Sequence, residues 1–433
     1  MSRKKPLPIV TATFDKIIGG GQAIATLESG KKLFAWGVLP GETAQVQITK
    51  KKSSLLQGIA IEISKPSSER IDPEDAGSYL STSPWQIMDF AAEQHYKAAL
   101  TEEAFELHDI VLPEPIDIYS DGELYGYRNK IEFSFWFDTD TQALSLAFFR
   151  RGSHGKIMVD GTSLAKPEIN DVAHEVLAAL NRMEVVGRQL KTLLVRANAR
   201  GDVSWQLYVK DEAFDTERFA QLLGAKIESG EVIYSNPLSP ASVITKKLTA
   251  DTPPPLTDTL LGIDFQYATE GFFQINLPVY EQALRDMKTY IPSNTPVIDL
   301  YSGVGTIGLT IADDDVTLVE INESAVREMR RNIETLDRKN ARAVLAASEN
   351  ALEHITSRAT IIVDPPRAGL HDAVIEKLLE QEPKRIVYLS CNPVTQARDV
   401  QKLAEKYGIR AHRGYNFFPR TPHIEHLVVL DLK

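Results

Sequence analysis

The chain has a single cysteine, Cys391, in the stretch RIVYLSCNPVTQARDV. A lone thiol has two readings. Free cysteine packs like a small hydrophobe, so a buried spare is the bland one. The other is a nucleophile, because Cys391 follows a β-branched and aromatic run and precedes Asn392-Pro393 and a helical pattern. A strand-end thiol beside a helix start is expected to ionise more easily than free cysteine, whose pKa is about 8.5. Three carboxylates occupy similar points: Glu320 ends VTLVE, Asp364 ends IIVD before two prolines, and Asp299 precedes the glycine-rich turn of VIDLYSGVGTIGL.

That turn, Gly303-Val304-Gly305, lies between a strand and a helix. Glycine there lets backbone approach a ligand, and the helix start offers free N–H groups. Gly308 completes a G-x-G-x-x-G spacing, so a dinucleotide site stays open, as does a tight turn with no ligand. Asp299 favours S-adenosylmethionine (SAM), because a pyrophosphate would be unwelcome beside it and an amino-acid ammonium welcome. Glu320 can accept from both ribose hydroxyls. Asp364 is poised at the strand's end, over the cofactor or a target base. A helix N-cap is its plain alternative, although the next helix seems to begin near His371. Phe272 and Phe273 are expected to pack under the cofactor.

A thiolate and a methyl donor on one rim suit one problem, since C5 of uracil is a poor nucleophile. Thiolate addition at C6 makes an enolate whose C5 can attack a methylsulfonium. A base then removes the C5 proton and elimination frees the enzyme.

The elements that would position these groups follow from periodicity. From about residue 265, apolar runs alternate with amphipathic helices, which implies a parallel, doubly wound sheet that binds ligands at its strands' carboxyl ends. Residues 1–66 read as short strands with glycine turns, a small all-β barrel. SKPSSERIDPEDAG is a polar linker. A helical pattern follows from about Asp89 to Leu107. The middle region reads as α+β: a hairpin of IEFSFWF and ALSLAFF around DTDTQ, a helix near 168–183, and strands TLLVRANA and VSWQLYV. A proline-rich break covers 249–258.

The formal net charge is −11, but residues 1–70 hold 11 Lys/Arg against 5 Asp/Glu, which leaves −17 for the remainder. Lys50, Lys51 and Lys52 are the densest basic point, either a phosphate-reading appendage or a solvated face. One cysteine excludes a disulfide framework and a multi-cysteine metal site and fits a reducing cytoplasm. No run of about 18 apolar residues is present to span a membrane.

Together, LSCNPVTQARD, DPPRAGL, DLYSGVGTIGL, GFFQIN and FPRTPHIEH resemble the SAM-dependent RNA uracil-5-methyltransferases, the RumA/TrmA group. The resemblance covers the whole C-terminal region and much of the rest. It implies a Rossmann-like class I methyltransferase at 262–433, an OB-like TRAM barrel at 1–68 and a central α+β RNA-recognition domain at 75–255, with a helix at 89–112 able to pack on the catalytic domain. It implies Cys391 as nucleophile and Glu425 as the base that takes the C5 proton. Gln274, Tyr301, Gly303, Thr306, Glu320 and Asp364 are the implied SAM-binding positions; Thr306 stands where many relatives carry Asn. Arg128 falls where relatives place an arginine near the target RNA. His423 is either a second polar group near the base or a structural one. The TRAM-like barrel favours 23S rRNA, with tRNA the alternative. One departure is plain: many relatives carry a four-cysteine iron–sulfur site after the barrel, and the matching stretch here, YLSTSPWQIMDF, has none.

A target uridine must be in a loop or extruded, and RNA loops are read by stacking on aromatics and arginine. Tyr125, Tyr127, Trp136, Phe148 and Phe149 beside Arg128, Lys130, Arg150 and Arg151 offer this, against a plain core role for each aromatic. Arg150 and Arg151 are the better phosphate contacts. A monomer is expected. An amine N-methyltransferase leaves Cys391 and Glu425 unexplained. A non-catalytic RNA-binding protein on this fold should show a degraded site.

Overall fold

The computed structural model describes residues 7–153, 155–223, 229–250, 252–313 and 315–433. The basic residues 1–6, counted in the N-terminal charge excess, and Asp251 of the proline-rich break lie outside the described residues.

An eight-stranded sheet carries the second half of the chain. Its order is Ala341–Leu345, Val316–Glu320, Val297–Leu300, Thr360–Val363, Arg385–Ser390, Glu425–Leu432, Tyr407–Tyr415 and Ile118–Tyr119. The first five strands are mutually parallel; Glu425–Leu432 runs antiparallel between two neighbours. Central strands such as Thr360–Val363 are buried throughout, as a sheet covered on both faces requires. Two apolar clusters lie on its two faces. This is an α/β fold with a Rossmann-like, doubly wound sheet. Every parallel strand delivers its last residue to one rim, so Leu300, Glu320, Val363 and Ser390 end together.

A seven-stranded sheet occupies the middle of the chain. It includes the hairpin Lys130–Phe137 and Leu144–Phe149, paired with Ser134 opposite Ala147, and the strands Leu190–Ala197 and Val203–Val209. The helix Pro167–Arg182 covers its core face. The first sheet has six strands between Ile9 and Lys65 around one cluster that includes Leu33, Val46 and Leu56. Leu256–Leu260 and Ile263–Tyr267 pair as a hairpin packed in a core cluster of the eight-stranded sheet, so a strand begins inside the proline-rich stretch 249–258.

The helix Phe90–Glu106 starts where Asp89 accepts from Ala92 N–H at 2.8 Å. Its Phe105 is buried in a cluster of the eight-stranded sheet. In the cysteine-free stretch, Trp85 donates to Gly21 O at 3.0 Å, and Gln86 Nε2 donates to Ser83 Oγ at 2.7 Å. The Asp75 carboxylate takes hydrogen bonds from Gln86, Thr162 and Ser163. Side-chain hydrogen bonds thus tie the segments together here. Among the described residues no helix is long and apolar enough to cross a membrane.

Candidate active site

A cavity of about 1240 Å³ opens at the carboxyl ends of the parallel strands. Cys391 and Glu425 line it together with Gln274, Tyr301, Gly303, Thr306, Glu320 and Asp364. The Tyr301–Gly305 turn has φ of +63° at Tyr301, +55° at Gly303 and +88° at Gly305. A left-handed tyrosine costs about 1–2 kcal/mol, a kind of strain found at ligand sites. A Cβ on Gly303 would meet nothing within 4 Å, so this glycine serves its φ beside open space. Gly308 differs: a Cβ there would lie 2.4 Å from the Leu318 side chain. The third glycine of the spacing permits helix–strand contact and is not a phosphate cradle.

Glu320 is held by the turn it faces. Its Oε2 accepts from Gly303 N–H at 3.0 Å and its Oε1 from Asn322 N–H at 2.7 Å. The Thr306 hydroxyl is 2.8 Å from that of Tyr280. Gln274 is buried, and its carbonyl accepts from Asn129 Nδ2 at 2.9 Å, which joins the middle sheet to the cavity wall.

Asp299 does not reach the cavity. It is fully buried, its Oδ2 accepts from Gly308 N–H at 2.9 Å, and its Oδ1 has no partner among the described residues. Burial pushes its carboxyl up to about 8. The expected ammonium partner is therefore a neutral helix-start acceptor near neutral pH. The aromatic pair also separates. Phe273 is buried and stacks on Tyr267 at 4.1 Å, whereas Phe272 is 67% exposed at the cavity wall.

The acid–thiol group is the site's electrostatic centre. Burial lifts Asp364 to about 7. Glu425 is pushed well above the usual carboxylate range, first by burial and then by the charge of Asp364. Burial, then Glu425 and Asp364, push the Cys391 thiol up to about 11. The expectation of an easily ionised thiol is corrected: burial beside two acids outweighs the helix start. Arg367 opposes this at both Cys391 and Glu425. Its carbonyl accepts from Asn392 Nδ2 at 2.8 Å and Thr395 Oγ1 at 3.1 Å, which ties its loop to the helix after Cys391. Asn392 also caps that helix by accepting from Val394 N–H. His371 caps the helix after the prolines, so Asp364 is not a cap. Arg367 was not singled out from the sequence; its place in DPPRAGL, three residues past Asp364, was the available signal. Its Nη2 lies 3.5 Å from both His423 ring nitrogens, and burial with Arg367 holds His423 down at about 4, hence neutral.

Of the residues expected to touch RNA, Lys130 lines the cavity, its Nζ donating to Glu270 O at 3.1 Å, and the others lie outside this wall. Arg128 is half-buried, its guanidinium 5.8 Å over the Tyr127 ring. Arg150 is exposed. Arg151 lies 4.3 Å over Trp36 and donates to Leu80 O, which places it in the seam between the first sheet and the following segment. Lys50 and Lys51 are exposed at the end of the strand Thr43–Lys51. Tyr127 is buried and Phe148 stacks on Phe133 at 5.3 Å; Tyr125 lies under Arg420 at 5.3 Å. Trp136 and Phe149 are exposed at 40% and 57%.

Residues 351–433 match the family model of tRNA (uracil-5-)-methyltransferase, and residues 283–388 that of the methyltransferase small domain. An uncharacterised RNA methyltransferase of Bacteroides thetaiotaomicron is 28% identical, with 95% of this chain and 99% of that protein aligned. One from Fusobacterium nucleatum is 28% identical over 98% of this chain and 96% of that protein. In fold, the chain is similar to the Pyrococcus abyssi tRNA (uracil-54, C5)-methyltransferase crystallised with S-adenosyl-L-homocysteine. That match has TM-score 0.77 at 20% identity and covers 97% of this chain and 100% of that one. The matched C-terminal segment and the full-length likeness to RNA methyltransferases make this chain similar to the RNA (uracil-5-)-methyltransferases, and its strand-end cavity is that of an enzyme.

Proposed function

We propose that the chain methylates C5 of a uridine in RNA, with 23S rRNA as the favoured target, through a transient bond between Cys391 and C6 of the ring. The observation that carries this is the convergence of Cys391, Glu425 and Asp364 with Gly303 and Glu320 on one cavity wall. The wall suits SAM: open space at Gly303, a fixed carboxylate at Glu320 for the ribose hydroxyls, and acidic groups beside the reacting end for a cationic sulfonium. Gln274, Tyr301 and Thr306 complete the holding set. When bound, SAM supplies an electrophilic methyl group to C5.

The chain's own residues do the rest. Cys391 Sγ, as thiolate, adds to C6 and pushes an electron pair to the O4 enolate. After transfer, C5 carries both a methyl group and a hydrogen. Glu425 takes that proton, the C5–C6 double bond re-forms, and the C6–S bond breaks to return the thiolate. Glu425 must be ionised to act, and Cys391 must lose a proton first. Burial raises the pKa of both resting groups, Glu425 further through the charge of Asp364 and Cys391 through those of Glu425 and Asp364. Arg367 is the cation placed to relieve each.

Residues 1–68 are read as a TRAM-like RNA-binding module and 75–255 as the region that presents RNA to the catalytic part, 262–433. Exposed Lys50, Lys51 and Arg150, with Arg128 nearer the cavity, are the phosphate-contact candidates. A chain with one cysteine cannot hold a four-cysteine cluster. The enzyme is read as a cytoplasmic monomer.

A tRNA target is the second reading. It is favoured by the Pyrococcus abyssi likeness, whose coverage includes the first sheet, so that sheet does not by itself exclude tRNA. Nucleoside mass spectrometry of rRNA and tRNA from a deletion strain separates the two. Loss of 5-methyluridine from 23S rRNA alone supports the first reading, loss from tRNA alone the second, and loss from neither overturns both. For the adduct, RNA with 5-fluorouridine at the target should trap wild-type enzyme covalently in the presence of SAM. A wild-type enzyme that methylates RNA yet is never trapped overturns the mechanism.

A further inference from the structure

Lys97 lies inside the protein, far in sequence from the catalytic motifs, with its side chain fully buried. Its Nζ donates to Glu93 Oε1 at 2.9 Å, Asn416 Oδ1 at 2.6 Å and Phe418 O at 3.1 Å. Glu93, also fully buried, accepts from Asn416 Nδ2 at 3.0 Å and, through its other oxygen, from Arg420 N–H at 3.0 Å. One ion pair on the Phe90–Glu106 helix therefore holds the segment 416–420 at three successive points.

That segment leads directly into the active site. Phe418 and His423 line the cavity, with their rings edge to face at 6.0 Å, and Glu425 follows at the start of its strand. Arg420 is left-handed, with φ +65°, and its Nη1 donates to Met88 O at 2.8 Å. Trp85 N–H donates to Arg420 O at 3.1 Å, and the Tyr127 hydroxyl to Pro419 O at 2.9 Å. These anchors all come from residues 85–127 of the chain. A buried pair is a poor way to gain stability, because desolvation offsets much of its attraction. It is a good way to hold backbone in one geometry, since removing either partner strands a buried charge.

We propose that the Glu93–Lys97 pair is a positioning device for the base side of the cavity, setting where Glu425 stands over the ring of a bound uridine. The pair touches no reacting atom. Cys391 is held separately, by its strand and by the Asn392–Arg367 ties. The pair therefore governs proton removal and release rather than addition at C6. This rests on the covalent reading above.

The test separates the two half-steps. Lys97→Met, and as a milder variant Asn416→Ala, are mixed with SAM and RNA tritiated at C5 of the uridine. Covalent complex is read on denaturing gels and proton removal by tritium release. The expected result is adduct formation within about twofold of wild type. Tritium release falls on the order of 10²-fold, the scale of a misplacement near 1 Å, and adduct accumulates. If Lys97→Met fails to fold, Asn416→Ala alone decides the outcome. Adduct formation and release that fall together, or neither changing, overturns the proposal. Failure of wild type to form adduct with 5-fluorouridine RNA would instead overturn the covalent reading, so the two failures are distinguishable.

Discussion

At the Gly303 end of the cavity the polar groups are already engaged. Glu320 accepts from two backbone amides, and the Thr306 hydroxyl is bonded to Tyr280. At the Cys391 end the reacting groups are desolvated, and the Arg367 charge does not outweigh that burial. The carboxyls of Asp364 and Glu425 are both raised, first by burial. The first end is built to receive a ligand without rearrangement. At the second, burial disfavours the charged forms that the chemistry would use, and added positive charge would favour them. Pre-organisation at one end and electrostatic tension at the other make the cofactor site separable from the chemistry.

The sharpest break of that comparison is at the thiol. Cys391→Ala should lower methyl transfer by at least about 10³-fold, as expected for loss of a nucleophile. SAM affinity by calorimetry should stay within about threefold of wild type. Parallel loss of both would mean that the two ends are one structural unit. Glu425→Gln should leave the thiol able to add but slow turnover by about 10²- to 10⁴-fold, the range for a general base. Covalent RNA–protein complex should then build up on gels.

The shared rim is the part most legible from sequence. Glu320, Asp364 and Cys391 each end an apolar run, and strand ends in a doubly wound sheet converge whatever lies between them. A rim can therefore be read one strand at a time. Side-chain direction within the rim was not readable. Asp299 and Tyr301 stand two residues apart in one motif, yet one points into the core and the other lines the cavity. Phe272 and Phe273 are neighbours with opposite exposure. The thiol's ionisation was misjudged for a related reason. The local helix start is visible in Asn392-Pro393, but the opposing carboxylates come from other strands, and their charge at Cys391 depends on burial. The Lys97 contacts cross more than 300 residues of chain, and a lysine in a helical pattern reads as a surface residue.

The reacting end should reveal its tension through pH. With the thiol lifted to about 11, Cys391 is neutral at pH 7, and its alkylation by iodoacetamide should quicken roughly tenfold per pH unit toward that value. A bound cation nearby favours the thiolate, so SAM should shift the profile down by about 1 to 3 units. S-adenosylhomocysteine, which lacks the sulfonium charge, should shift it less. Equal shifts from both ligands would mean that geometry, not charge, tunes the thiol.

Asp299 supplies a smaller effect, on stability alone. Its folded-state pKa, about 8, lies above the unfolded value of 3.8, so the folded protein keeps a proton that the unfolded chain loses. Its contribution is fully present below pH 3.8 and is lost as pH rises through 8. Asp299→Asn cannot titrate, so its Tm should fall less than that of wild type between pH 5.5 and 8.5 by thermal unfolding. An unchanged difference would mean that this carboxyl is ionised in the fold.

The smallest effects separate two neighbouring arginines that sequence treats alike. Arg151 lies over Trp36 and donates to Leu80 O, so it is committed to the seam beside the first sheet. Arg151→Ala should cost about 0.5–2 kcal/mol of stability, the range of a cation–π contact. Arg150 is exposed at the turn after Phe149. If it meets a phosphate, Arg150→Ala should leave Tm unchanged, weaken RNA binding several-fold, and reduce the slope of log affinity against log salt by about 1. The contrast carries to the rest of the RNA-facing surface. A guanidinium already stacked within the protein must give up that contact before it meets a phosphate, whereas an exposed one gives up only water. Binding isotherms at three salt concentrations for both variants decide it. An unchanged salt slope for Arg150→Ala would move the phosphate path away from this hairpin.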